Sequence, residues 1–276
     1  MKPLPTVTTR RAATLAVTAA LGLAPFLVDA APANAVPQEQ QQNQPQKQQA
    51  VPAPERVNLG GVYNARTFGS YTNTDGQALT DRVIRSGDLQ NLNNAGLAEL
   101  QRRDVTTIVD LRTSFERQLK PNRPVPGAKV VVADVMALAP LAGSADFPGM
   151  YRTFVDNPGA REAYRTMLLQ VATTVERGDS VLIQCSAGRD RTGWGSAVLL
   201  KIAGADMKTI EADFTANNTG ADVAWLRGAF AHVDRIYGGF DGYLRKGLRL
   251  STAEIESIRT AMIASDATSE AAVTPQ

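Results

Sequence analysis

Apolar and polar positions along the chain change period several times, and each change marks an element. Three β-branched runs read as strands: Thr106–Leu111 (TTIVDL), Lys129–Val135 (KVVVADV) and Ser180–Gln184 (SVLIQ). The first and last are nearly continuous apolar runs, the pattern of strands covered on both faces of a sheet. Between and after them the period is helical. Leu97 and Leu100 recur at helical spacing in Asn94–Arg103. Gly159–Arg177 puts Ala163, Met167, Val171 and Val175 on one stripe and stops at Gly178. Thr192–Ala203 is apolar on most sides, and Met207–Ala216, Ala221–Tyr237 and Thr252–Ile263 carry further helical patterns. Strands alternating with helices predict a single α/β domain, a central and mostly parallel sheet flanked by helices.

Composition divides the chain more coarsely. Residues 36–55 (VPQEQQQNQPQKQQAVPAPE) lack apolar periodicity and read as a disordered Gln/Pro-rich linker. Globular composition runs over 56–264, and 265–276 read as a flexible tail. Residues 1–35 read as a signal peptide, with Lys2, Arg10 and Arg11 ahead of an Ala/Leu-rich Ala12–Val28 and an A-x-A site at Ala33-Asn34-Ala35. Arg10-Arg11 also fits a twin-arginine signal. The alternative, an uncleaved anchor, is opposed by Pro25 and Asp29, which interrupt the roughly 20 apolar residues a span requires. The expected product is a secreted protein without a stable membrane span.

Export alters the charge balance. The whole chain has 29 Lys/Arg against 27 Asp/Glu, and the leader removes three and one, leaving 26 of each. The basic balance of the whole chain therefore does not indicate nucleic-acid binding, which needs a basic face. A single cysteine, Cys185, forms no internal disulfide. In an oxidising compartment such a thiol is either buried or kept for its chemistry, and at this point both readings stand.

The residues around Cys185 add a third fact. In VLIQCSAGRDRTGWG (181–195) a buried strand ends in a loop of small residues that feeds a helix. Such a loop turns several backbone N–H groups into one concavity at the positive end of a helix, which binds anions and favours a thiolate at its mouth. Ser186, Ala187 and Gly188 keep side chains small where a phosphate approaches the backbone, and Arg191 can grip two of its oxygens. With Cys185 as nucleophile and an acid for the leaving alcohol, these parts suffice for phosphomonoester hydrolysis through a cysteinyl-phosphate, with no metal or cofactor required. A Walker A motif, G-x-x-x-x-G-K-[ST], is absent from the sequence, and its one histidine is His232.

Cys185-x5-Arg191-Thr192 after a hydrophobic strand resembles the signature loop of cysteine-dependent protein tyrosine phosphatases. The resemblance is closest to the bacterial secreted branch of tyrosine and dual- or triple-specificity enzymes, whose loop reads roughly H-C-x-A-G-K-D-R-T-G. Ala187 through Gly193 match it, with Arg189 in place of the lysine. Five further segments fall in the expected order: NARTFGSYTNTDGQAL (64–79), VIRSGDL (83–89), TIVDLRTSFE (107–116), MYRTFV (150–155) and GGFDGYLRKGLRLS (238–251). The resemblance implies Ser186 through Thr192 as the phosphate-binding residues, Asp190 as general acid, and phosphorylated proteins or phosphoinositides as substrates. Asp134, or Asp146 beyond it, stands where other phosphatases of this fold carry a mobile acid. The family's histidine before the cysteine is Gln184 here. An amide keeps hydrogen-bonding capacity but no positive charge, so slower turnover at acidic pH is expected.

Other polar residues have two readings each. Asp110 and Arg112 at a strand end either support the loop or contact the substrate, or else form a structural ion pair, and Arg85 and Asp88 divide likewise. Arg189 is either a second cation at the pocket or a partner of Asp190. His232 reads as an ordinary helix residue, and Trp194 and Trp225 as core or lid packing.

Overall fold

The computed structural model describes residues 50–136 and 146–265. These lie in one of two units of the chain, Gln49–Gln276; the other, Met1–Gln48, including the expected leader, lies outside the described residues, as does the expected tail after residue 265.

Five strands form one sheet in the order β1-β2-β5-β3-β4. They are β1 (Arg66–Thr67), β2 (Val83–Ser86), β3 (Val105–Asp110), β4 (Lys129–Val132) and β5 (Ser180–Gln184). Only the β1–β2 pairing is antiparallel. Side chains alternate across β5. Val181 and Ile183 join the larger core, with α3 (Phe147–Asp156), α4 (Pro158–Glu176), α5 (Asp190–Ile202), α6 (Met207–Thr215), α7 (Val223–Tyr237) and α9 (Thr252–Met262). Leu182 joins Ile84, Ile108, Leu89, Leu92 and Leu100 in the smaller core, which includes α1 (Asn94–Arg102). Full burial of each such aliphatic side chain contributes about 1.5–3 kcal/mol before entropy is charged against it. The expected α/β architecture is therefore the one observed.

Local chemistry explains most helix starts. Asn93 caps α1 through the Gly96 N–H, and Asn157 caps α4 ahead of Pro158, whose fixed φ suits the first helical position. Thr113 and Glu116 close a capping box on α2 (Ser114–Leu119), as Ser251 and Glu254 do on α9. No side chain caps α5. Its entry through Arg189 leaves first-turn N–H groups without a protein side chain to bond.

Boundaries differ from expectation in several places, three of which bear on the site or the extent of the domain. Lys129–Val135 ends as a strand at Val132, because the Met136 N–H turns back onto Asp134 Oδ1 at 3.0 Å. Helix α5 opens at Asp190, two residues early, which places Arg191 in its first turn. Ordered contacts also begin before Arg56: Val51 packs on the larger core, and Glu55 accepts from Thr67 Oγ1 at 2.9 Å and Arg103 Nη2 at 3.1 Å. The chain after α7 passes through α8 (Phe240–Gly242) and a π-helical turn, Tyr243–Gly247, into α9.

Candidate active site

Strand register gathers three strand ends at one edge. Ser86 of β2 and Asp110 of β3 both stand opposite Gln184 of β5, so Gly87, Leu111 and Cys185 come next side by side. Ligands of open α/β sheets bind outside this carboxyl edge. The Leu111 N–H donates to Gln184 O at 2.9 Å and the Asp88 N–H to Ser186 O at 3.2 Å, tying the loop to both neighbouring strands.

Cys185 is only 2% exposed and belongs to the larger core, so burial and reactivity are not exclusive readings of it. Beyond it Gly188 takes φ +64°, and a Cβ there would lie 2.5 Å from the Ser86 carbonyl carbon and 2.6 Å from Gly87 N. Only glycine meets both conditions. The N–H groups of Ser186, Ala187, Gly188 and Arg189 find no acceptor among the described residues. Unpaired donors converging ahead of a helix make an anion cradle.

Arg191 closes that cradle and is held by Glu116 of α2. Nη1 meets Oε2 at 2.7 Å and Nη2 meets Oε1 at 2.6 Å, and Nη2 also reaches Ser186 Oγ at 3.3 Å. Ser186 Oγ donates to Glu116 Oε1 at 2.5 Å. Burial alone would raise the Glu116 carboxyl, but the Arg191 hydrogen bonds and charge, with Ser186, hold it well below the usual carboxylate range. Burial opposes the Arg191 charge in the same way, and Glu116 overcomes it, so Arg191 stays cationic. The fork that grips this carboxylate can grip two phosphate oxygens.

Asp190 accepts from Tyr151 Oη at 3.2 Å and from Arg189 Nε at 3.0 and 3.1 Å. Arg189 is fixed in turn. Its Nη1 donates to Thr219 O at 3.3 Å, and its guanidinium lies 5.2 Å from the Phe147 ring centre and 5.9 Å from that of Trp225. Those two rings stack 4.2 Å apart. A planar guanidinium suits a seat against this stacked pair better than the family's lysine would.

Residues 57–264 match the tyrosine phosphatase family. The chain belongs to that family. It is similar to the triple specificity protein phosphatase PtpB of Mycobacterium tuberculosis, 28% identical over 191 residues that cover 58% of this chain and 68% of that one. A Cupriavidus necator relative whose name also carries tyrosine-protein phosphatase is 25% identical over 240 residues, 70% of this chain and 84% of that one. Among solved structures, P. aeruginosa TpbA aligns with 61% of this chain and 86% of its own at 21% identity, with a TM-score of 0.35. Membership makes the chain a phosphatase by class, with the cysteine mechanism general to the family.

The remaining residues singled out in this tyrosine phosphatase sort clearly. Asp110 and Arg112 are a buried ion pair, Nη2 to Oδ2 at 2.7 Å. Arg112 also bonds Lys120 O at 2.7 Å and Asn122 Oδ1 at 2.8 Å, so it braces the β3–β4 connection. Asp88 accepts from the Gln90 N–H at 3.3 Å and stands 4.0 Å from Arg112. His232 bonds Asp156 at 2.8 Å and Arg235 at 2.5 Å on α7, without contact to the loop. Trp194 is fully buried on α5 and packs on Phe230 and Tyr243. Gln184 departs from expectation: among the described residues neither amide atom has a hydrogen-bond partner, and Thr192 Oγ1 is likewise buried and unpaired. Glu116 and Tyr151 are the residues that sequence reasoning passed over. The Thr113-x-x-Glu116 capping box was readable as a signal for the first, though only the fold shows that its carboxylate also meets Arg191.

Proposed function

We propose that this phosphatase hydrolyses phosphomonoesters at Cys185, with phosphotyrosine in proteins as its leading substrate. The observation that carries the reading is a strand-end cysteine followed by four unpaired N–H groups and closed by a clamped Arg191. The Cys185 thiolate attacks phosphorus, forming the S–P bond as the ester P–O bond breaks. The Ser186–Arg189 N–H groups and Arg191 bear the charge on the equatorial oxygens. Asp190 gives its proton to the leaving phenolate, then takes one from the water that splits the S–P bond and releases phosphate.

Three facts favour Asp190 as that acid. Tyr151 and Arg189 fix its carboxyl beside the loop. Asp134 is engaged in the Met136 turn. Asp146 is an exposed cap, accepting from the Gly149 N–H of α3 at 2.8 Å. Phosphoinositides are the second substrate class, but Arg189 is committed to Asp190, Thr219 and two aromatic rings, which leaves less of it for a second phosphate. A phosphate-binding module without turnover is the reading that the unpaired Gln184 favours. Hydrolysis of para-nitrophenyl phosphate that vanadate blocks and Cys185→Ser abolishes separates the enzyme from the binder, and no turnover by the wild type decides for the binder. Matched panels of phosphotyrosyl peptides and phosphoinositides then rank the substrates.

Export belongs to the same proposal. Its support is the Arg10-Arg11, Ala12–Val28 and Ala33-Asn34-Ala35 pattern of the first 35 residues.

A further inference from the structure

Behind the cradle, on the side of the loop facing β1 and β2, lies a fully buried polar cluster. Arg66 of β1 and Arg85 of β2 share one carboxylate, Asp213 of α6. Arg66 Nε meets Oδ1 at 3.0 Å, Arg85 Nη1 bonds Oδ2, and Arg66 Nη2 donates to Asp213 O at 2.7 Å. None of the three is more than 1% exposed. Two cations on one anion are unusual inside a protein, since each buried charge loses its hydration and a second cation adds repulsion. Burial and the neighbouring Arg66 lower the Arg85 pKa to about 10, still far enough above neutrality that it stays charged. A merely structural pair would need one arginine.

The second arginine has a target. Arg85 Nη2 donates to the Gly188 carbonyl at 2.9 Å, and Asn64 Nδ2 donates to the same oxygen at 2.8 Å. The Asn64 amide cannot turn over, because its Oδ1 accepts from Arg66 Nη1 and from Asn217 Nδ2, the latter at 2.9 Å. Asn64 itself sits at φ +61°, a conformation asparagine tolerates. Two buried donors, one of them cationic, thus hold one loop carbonyl.

In a planar trans peptide the C=O and the N–H of the next residue point opposite ways. Pinning the Gly188 oxygen inward therefore turns the Arg189 N–H outward, into the cradle. We propose that Asn64 and Arg85 are positioning residues that aim the Arg189 N–H at the transferring phosphoryl group. Neither touches substrate; both act through one peptide plane. Gly188 is the one residue type that lets this plane take the required orientation at φ +64°.

This rests on the reading of Cys185–Arg191 as a phosphate loop, and the test keeps the two apart. Asn64→Gly retains the left-handed backbone and removes the amide; Arg85→Lys retains the charge and removes the fork. Wild type is first shown to bind orthovanadate and to turn over para-nitrophenyl phosphate; failure there overturns the phosphate loop itself. In either variant, with far-ultraviolet circular dichroism unchanged, vanadate inhibition weakens and kcat falls by roughly tenfold to a hundredfold, less than the roughly hundredfold to thousandfold of losing such a donor outright. The amide resonance of Arg189, which shifts when inorganic phosphate is added to wild type, shifts much less in the variants. Vanadate inhibition and an Arg189 shift equal to wild type in a folded variant would overturn the proposal. So would loss of stability with vanadate affinity retained, which assigns the cluster to the fold alone. Arg85→Lys gives the same reading if Asn64→Gly does not fold.

Discussion

Glu116 shows how one carboxylate serves local structure and chemistry together. Its Oε2 accepts from the Thr113 N–H and Oγ1, both at 2.9 Å, starting α2, while both oxygens hold the Arg191 fork. Glu116→Gln frees Arg191 from its bidentate seat, and kcat/KM for an aryl phosphate falls roughly a hundredfold, the scale for a clamp displaced by an ångström. The same pair gives a pH signature. A carboxyl held low in the folded state contributes stability that is fully present above its unfolded value of about 4.3 and fades as pH drops toward the folded one. The melting-temperature gap between wild type and Glu116→Gln is therefore widest near neutrality and narrows below about pH 4. An equal gap at pH 3 and pH 7 contradicts the ion pair. Gln184 is a different case, a buried amide with both atoms unpaired. An unsatisfied buried polar group costs about 1–3 kcal/mol, so Gln184→Met, of similar shape, melts at the same or a higher temperature. A melting point several degrees lower would show that the amide has a partner in solution.

At the scale of elements, the loop between β5 and α5 is the piece whose geometry admits least change. A Cβ on Gly188 meets β2 backbone at under 3 Å and imposes a left-handed φ on an L residue. Gly188→Ala is expected to cost at least 1–3 kcal/mol in denaturant titration, the range for backbone strain of this kind, and to abolish turnover. Retained turnover would mean that the loop can move off β2 without harm. This element was legible in the sequence because its parts are local: strand, small residues, arginine, helix. β2 was not. Four residues, VIRS, with a fully buried arginine, give no apolar run to read, and Arg85 reveals its purpose only beside Asp213, 128 positions away. Helix α2 is six residues long with none buried, too short for a periodic stripe, so it was not read from the sequence; its capping box is its one local signal.

Over the whole molecule, the two cores on opposite faces of the sheet follow from strand alternation, and β3, β5 and the long α4 were read correctly from apolar spacing alone. What spacing could not supply is which distant side chains meet. Trp225 on α7 and Phe147 on α3 look like packing residues, yet they form the wall on which Arg189 rests. Replacing Trp225 by Ala removes one of the two rings against which Arg189 rests and loosens Asp190, so kcat for an aryl phosphate falls while vanadate affinity changes little. An unaltered kcat would separate Arg189 and its aromatic wall from the acid. If the first 35 residues act as a leader, N-terminal sequencing of protein recovered from the culture medium finds Val36 first.

In the proposed reaction Cys185 carries the phosphoryl group between leaving alcohol and water. Rapid acid quench of the enzyme with excess aryl phosphate, followed by peptide mass analysis, tests it most directly. One added phosphoryl group on the peptide containing Cys185, formed within a turnover and absent from Cys185→Ser, is the predicted result. Steady turnover with no modified Cys185, or with the phosphoryl group on another residue, would contradict it.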